Sequence, residues 1–266
     1  MLVIVVTGAT GNVGRPLMEL LGDKAVAASR PQVDLARPAS LEPVVEGAEA
    51  LFLLFAGELL GPDTDIASVL DVAKVSGVRR VVLLSSQGAG TRPGMVPHSR
   101  MASFEETVRQ SSLEWTILRP SGFFTNAYAW TQPIREHGVA AAPFADVALP
   151  FVDPADIAAV AAEALQGGHE GQTYVLTGPE ALTPRERTKA LSSAIGREIR
   201  FVEQSVEEAR AQMAQFMPPP VVDGTLTILG SPLAEERQVS GHVEQVTGRA
   251  ATRFADWAAR NAKAFS

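Results

Sequence analysis

The chain has 266 residues, nearly half of them hydrophobic and a fifth charged, which is enough core material for one large domain or one domain with a small lobe. A net charge of -7 makes nucleic acid and anionic membrane surfaces poor partners, so neither is expected. With no cysteine, disulfides, thiolate metal sites and cysteine nucleophiles are excluded together, and the four scattered histidines lack metal-ligand spacing.

The apolar run at residues 2–6 reads as a first strand rather than a signal peptide, and the expected location is the cytoplasm. A helix is expected over residues 15–21, with Pro16 tolerated in its first turn. Further strands are expected at 25–29, 51–55, 81–85 and 115–118. The middle two are apolar on both faces, as parallel strands covered by helices must be. Between them the spacing of Ile66, Val69, Leu70 and Ala73 predicts a helix over 65–76 that Gly77 ends. Met101, Phe104 and Val108 predict another over 99–111. This alternation means a Rossmann-like doubly wound parallel sheet of the α/β class, occupying residues 1–150 and returning with a helix and strand within 151–180.

Beyond Arg119-Pro120 the texture becomes loop-rich and aromatic. Asp153-Pro154 opens a helix to residue 165, and a strand returns at 173–176. Residues 181–266 read as a small C-terminal α/β lobe: a helix at 183–195, a strand at 199–202, a helix at 206–217 stopped by three prolines, and a last helix at 250–264. Phe254 and Trp257 are expected to pack that last helix on the sheet, and Glu105-Glu106 to form a solvated face.

The turn after the first strand reads T-G-A-T-G-N-V-G. A helix N-terminus carries unpaired N–H groups and about half a positive charge, so it attracts phosphate. Gly8 permits the tight turn, Gly11 lets a diphosphate approach the backbone, and Gly14 lets the helix pack closely. Between an apolar strand and a helix, this spacing is read as a nucleotide-binding loop. At the end of the second strand, where NAD-binding folds place an acid, the chain has Ser29 and Arg30 instead. A guanidinium suits a 2′-phosphate, and Arg15 in the first helical turn is otherwise badly placed against the dipole, so NADP(H) is favoured over NAD(H).

With T-G-A-T-G-N-V-G, V-V-L-L-S-S-Q-G-A, W-T-I-L-R-P-S-G-F-F-T-N and P-F-V-D-P-A-D-I-A in this order, the sequence resembles the NmrA-like family of atypical short-chain dehydrogenases/reductases. That family includes NADPH-dependent quinone and triphenylmethane reductases and proteins that bind NAD(P) without known turnover. The resemblance implies that Thr7, Gly8, Ala9, Thr10, Gly11, Asn12, Val13 and Gly14 hold the diphosphate. It puts Asp34 and Leu35 at the adenine and Phe55, Ala56 and Gly57 at its ribose. Ser85 and Ser86 would line the nicotinamide end, with Pro120, Gly122 and Phe123 bordering nicotinamide and substrate. The chain departs from the pattern after Arg30, where the usual second helix and much of the third strand are missing.

A second departure is chemical. Orthodox members pair a tyrosine with a lysine four residues later, which lowers the tyrosine pKa for proton transfer. Here Gln132 and Gly178 lie four residues after Tyr128 and Tyr174, so that pair is absent. His98 is the best surviving proton donor because its ordinary pKa lies near neutrality, and Ser86 can polarise a carbonyl. The alternatives are a loop histidine and a hydroxyl bonded to nearby backbone. Phe123, Phe124, Tyr128, Trp130 and Phe144, with Asn126, Gln87 and Met101, form a candidate wall for an aromatic substrate, where core packing is the competing reading.

The expected function is an NAD(P)H-dependent oxidoreductase that reduces a quinone-like or other aromatic molecule, as monomer or homodimer. A non-catalytic NAD(P) sensor and a tailoring enzyme of aromatic secondary metabolism are the alternatives.

Overall fold

The computed structural model describes residues 2–96 and 98–266. The first apolar run forms β1 (Ile4–Thr7), and α1 (Gly14–Leu21) follows with Pro16 in its first turn. After β2 (Ala25–Ala28) the connection carries only a 3-10 turn (Pro38–Leu41) and the single turn α2 (Glu42–Val45) before β3 (Ala50–Leu54). Asp65 caps α3 (Ile66–Val75) by accepting from the Ser68 N–H. Then come β4 (Arg80–Leu84), α4 (Gln87–Thr91), α5 (His98–Gln110) and β5 (Glu114–Pro120).

A 3-10 run (Phe124–Trp130) leads into α6 (Thr131–His137) and β6 (Val139–Ala142). Asp153 caps α7 (Pro154–Gln166) through the Ala155 N–H, and β7 (Gln172–Leu176) returns to the sheet. A capping box of Thr183 and Glu186 starts α8 (Pro184–Ile195), followed by β8 (Arg200–Glu203). The rest is α9 (Val206–Met213), α10 (Pro219–Gly230), α11 (Ala234–Arg237), α12 (His242–Thr247), α13 (Phe254–Arg260) and α14 (Ala262–Phe265).

Six strands form one parallel sheet in the order β2-β1-β3-β4-β5-β7. Alternate residues of each central strand feed opposite faces. Val5, Leu51, Leu53, Val81, Leu83 and Ile117 pack beneath α3 and α5, while Ile4, Val6, Phe52, Val82, Leu84 and Leu118 pack beneath α1, α7 and α12. Burial on both faces explains the unbroken apolar runs in the sequence. β2 is a bare edge, with Val26 and Ala27 exposed, because the shortened connection supplies neither a further strand nor a full helix. Among the described residues no helix is long and apolar enough to cross a membrane.

Four expectations change. β6 lies within residues 1–150 yet pairs with β8 in a separate two-stranded sheet, so the small lobe draws on both halves of the chain. The three prolines do not stop a helix; Pro219 begins α10, since proline at a first-turn position forfeits no hydrogen bond. The terminal helix begins at Phe254 and breaks at Asn261. Phe254 and Trp257 pack on Phe124, with ring centroids 5.1 and 6.1 Å away, inside a third core built around α8 rather than on the large sheet.

The fourth change concerns Glu105. Glu106 is exposed, but the Glu105 carboxylate is fully buried. It accepts from Ser85 Oγ at 2.6 Å, from Arg119 Nε and Nη2 at 2.9 and 2.6 Å, and from Arg109 Nη2 at 2.8 Å. One buried charge thus joins α5 to β5 and to the end of β4. Burial alone would raise its pKa, but the hydrogen bonds from Arg119 and Ser85, the Arg119 charge and the Arg109 hydrogen bond outweigh it and hold the carboxyl below 4.5. Because the folded value is depressed, this stability is present above 4.5 and fades as pH falls through the folded value. Glu105→Ala should cost about 3 kcal/mol at neutral pH, since it leaves two partly buried guanidiniums without their carboxylate. The gap to the wild type should narrow below pH 4.5 in denaturant melts, and a gap independent of pH contradicts the assignment.

Candidate functional site

The strand order reverses between β1 and β3, where ligands of open α/β sheets bind. The turn from β1 to α1 is built by close approach. Gly8 has φ +66°, and a Cβ at Gly14 would fall 2.7 Å from Ala9 Cα, so neither position admits a side chain at rest. At Gly11 a Cβ meets only Gly8 O, at 3.2 Å, and the space above it is open. Val13, the N-cap of α1, provides no side-chain cap, and no acid lies in the first turn. The positive end of this helix is therefore uncompensated by the protein itself. Arg15 is exposed and folds Nη2 back onto Thr10 O at 3.3 Å.

A cleft of about 590 Å³ opens beside this turn. It brings together Thr7, Gly8, Thr10, Ser29, Arg30, Asp34, Leu35, Ala56 and Gly57 from the expected set, joined by Ala28, Val33 and Leu54. Thr7 spends its hydroxyl on the sheet, donating to Phe52 O at 2.9 Å and accepting from the Leu54 N–H at 2.8 Å. Asp34 accepts from Ala36 N and Arg37 Nε, both at 3.1 Å, which shapes the rim. Ser29 Oγ is buried without a hydrogen-bond partner, next to the exposed Arg30. An orphaned hydroxyl beside a free guanidinium, below a turn that excludes side chains, fits a phosphorylated dinucleotide. Gly11, Asn12 and Arg15 instead line a smaller adjoining pocket of about 330 Å³, together with Tyr128 and Arg260.

A second cavity of about 210 Å³ lies at the carboxyl ends of β4 and β5. Ser86, Gln87, His98, Pro120, Gly122 and Asn126 from the expected set line it. Ser86 caps α4 by accepting from the Gly88 N–H at 3.2 Å and stands 3.4 Å from His98 Nδ1. Gly88 makes room for this pair, since a Cβ there would fall 2.6 Å from His98 Cγ. Burial pushes the His98 pKa down, against the opposing pull of the Glu236 carboxylate, so the imidazole is neutral at pH 7. That corrects the expectation of a donor poised near neutrality. Glu236 itself is held by Arg92 at 2.8 and 2.9 Å and by Thr91 at 2.8 Å.

Several expected site residues lie elsewhere, for packing reasons. Ser85 turns its hydroxyl to Glu105, and Phe55 packs on Phe104 in the core with centroids 4.8 Å apart. Met101 is in that same core. Phe123 packs against the α7 side of the sheet, and Phe124 and Trp130 are buried in the third core, Trp130 Nε1 donating to Ala141 O. Tyr128 bonds Asn261 and stacks on Phe265 in the adjoining pocket. Phe144 packs on the α9–α10 cluster. The aromatic wall is thus mostly core.

The wall residues that the sequence did not point to are Gly88, Ser121, Leu149, Pro150, Phe151, Thr225, Ile228, Leu229 and Glu236. Most of α10 was hidden by its prolines. Its Thr225, Ile228 and Leu229 spacing, read as helix, is the signal that would have found it. Arg187 was also missed. Its guanidinium carbon sits 4.2 Å from the Phe151 ring centre and 5.4 Å from that of Trp130, and burial lowers its pKa to about 10.

Comparison with known proteins follows this geometry. A family described as NAD(P)H-binding matches residues 23–167, more than half of the chain and including the rim of the 590 Å³ cleft. A (4-alkanoyl-5-oxo-2,5-dihydrofuran-3-yl)methyl phosphate reductase from Streptomyces griseus is 37% identical, covering 99% of each chain. An NAD(P)H azoreductase from Xenophilus azovorans is 31% identical over 98% of this chain and 99% of its own. The NADPH-dependent quinone oxidoreductase QOR2 of Escherichia coli, solved with NADPH, shares the fold at TM-score 0.81 and 24% identity over 97% and 99% of the two chains. With a family match over more than half of the chain, and reductase relatives that align from end to end, the chain belongs to the NAD(P)H-binding family and is one of its oxidoreductases.

Proposed function

We propose that this oxidoreductase takes NADPH in preference to NADH and reduces a small, flat, conjugated acceptor such as a quinone, held in the cavity of about 210 Å³. The observation that carries the reading is the Ser86–His98 pair, 3.4 Å apart, on the polar wall of a cavity otherwise bounded by proline, leucine, isoleucine and phenylalanine. The names of the two full-length relatives support reductase chemistry on conjugated acceptors, a furanone phosphate in one and azo compounds in the other.

When bound, NADPH supplies a hydride and leaves the acceptor with one negative charge until it takes up a proton. The residues present do the rest. Gly8, Gly11 and Gly14 expose the turn's backbone to the diphosphate, and Ser29 with Arg30 receives a 2′-phosphate. Pro120 and Gly122 form the floor on which acceptor and nicotinamide meet. The Ser86 hydroxyl oxygen accepts from Gly88, so its proton is free to turn toward an acceptor oxygen. With its proton on Nδ1, neutral His98 hydrogen-bonds to Ser86 Oγ, and the proton that Ser86 passes on is replaced through the ring, Nε2 taking one from solvent as Nδ1 gives one up. No tyrosine is needed when the acceptor spreads the negative charge over a conjugated system.

Two measurements follow. Arg30→Ala should raise the KM for NADPH roughly tenfold and leave that for NADH unchanged, the loss of about one charge-assisted hydrogen bond. An unchanged ratio removes the 2′-phosphate assignment. With NADPH and a panel of quinones, the reduced-nicotinamide band should bleach, and Ser86→Ala should slow it by about 10²-fold or less. A flat trace across the panel overturns the acceptor class.

A further inference from the structure

Arg187 lies in the first turn of α8, at the positive end of that helix, and is 7% exposed. Among the described residues its side chain forms no hydrogen bond and no ion pair, and Nε is buried without a partner. Trp130 and Phe151 offer their ring faces to the guanidinium at 5.4 and 4.2 Å. These contacts soften the burial but satisfy none of its five N–H donors. Buried cations are ordinarily matched by an anion, because an unmatched one costs several kcal/mol. Among the described residues no carboxylate pairs with it.

Phe151, the ring nearest the guanidinium, lines the acceptor cavity, so the unmatched charge stands one side chain away from the acceptor. The carboxylate on that cavity wall, Glu236, is paired bidentate with Arg92. His98 is neutral. Behind the Phe151 ring Arg187 adds a positive charge to that wall, and at 7% exposure little water screens it. Hydride transfer places one negative charge on the acceptor in this same cavity.

We propose that Arg187, acting through the Phe151 ring, stabilises the negative charge formed on the acceptor and makes the site selective for acceptors and ligands that are anionic when reduced or bound. This rests on the cavity being the acceptor site. Arg187 is a positioning charge, not a group that touches the acceptor. It transfers no proton, which is left to Ser86 and His98, and acts only on the charge of the acceptor. An unmatched cation raises the energy of the empty protein and lowers that of the charged transition state, so it acts on the difference between them.

The test compares two ligands in the presence of NADP+: a hydroxynaphthoquinone whose hydroxyl is ionised at neutral pH, and unsubstituted naphthoquinone. Binding is followed by visible absorbance in wild type, Arg187→Met and Arg187→Lys, with thermal melts alongside. Arg187→Met should weaken the anionic ligand roughly tenfold, as a charge about one ring away implies. It should leave the neutral quinone within twofold, shift the bound hydroxyl's titration toward its value in water, and slow single-turnover hydride transfer. Arg187→Lys should restore both the anion preference and the titration. The melting temperature of Arg187→Met should equal or exceed that of the wild type, because an unpaired buried charge is removed. Equal effects on both ligands, or no effect on either, overturn Arg187's role while leaving the acceptor site intact. If neither ligand binds the wild-type protein, the cavity is not the acceptor site and the proposal fails with it.

Discussion

Everything at the switch point depends on how closely α1 can approach the turn that precedes it. Gly14 lies so near Ala9 and Gly8 that one methyl group would collide with backbone, and the helix would be pushed off the strand. That contact sets the height of α1 over β1. It also aims the uncapped N–H groups across Gly11 into open space. From the same edge, β3 delivers Leu54 and Ala56 to the cleft and β2 delivers Ser29 and Arg30. The shape of the proposed dinucleotide seat is therefore a consequence of one close packing contact, not of a set of dedicated side chains. Even Thr7, at the mouth of the cleft, spends its hydroxyl on the sheet.

The acceptor side is organised by charge. In a fold that lacks the tyrosine and lysine pair, two ion-paired clusters brace the elements around the proposed acceptor cavity. Glu105 is matched by Arg119 and Arg109, and Glu236 by Arg92. The first fixes the β4–α5 junction from which Ser86 and His98 project. The second fastens α11 to α4 and brings the small lobe over the cavity, helped by Gln87 Nε2 donating to Glu235 O at 3.2 Å. Arg187 alone has no counter-charge, and burial keeps His98 neutral. Chemistry that generates an anion suits such a balance better than chemistry that consumes one.

How much of this the sequence disclosed follows from range. The six strands of the large sheet and α1, α3, α5 and α7 were legible because apolar runs and helical periodicity are local patterns, whereas β6 fell in the stretch read as loop. The glycine turn was legible because its steric demand falls on residues six apart. Ser29 and Arg30 stood out by the absence of an acid. The aromatic segment misled, since Phe124, Trp130 and Phe144 face cores whose other halves come from α8, α10 and α13, beyond the reach of a local pattern. Glu105 looked solvated beside Glu106 because its arginine partners include Arg119, fourteen residues further along. Three prolines masked α10, since proline ends helices from inside but begins them at the first turn. Arg187 sits among ordinary helix-forming residues, and only three-dimensional packing shows that it is unmatched.

The most direct test of the dinucleotide seat is calorimetric titration of NADPH into the wild-type protein and into Gly11→Val. The variant adds a side chain that meets only Gly8 O, at 3.2 Å, where the diphosphate is proposed to lie. Saturable heat with one nucleotide per chain in the wild type, and none in a variant with an unchanged melting curve, is the predicted result. Equal binding by both proteins, or no heat from either, would contradict it.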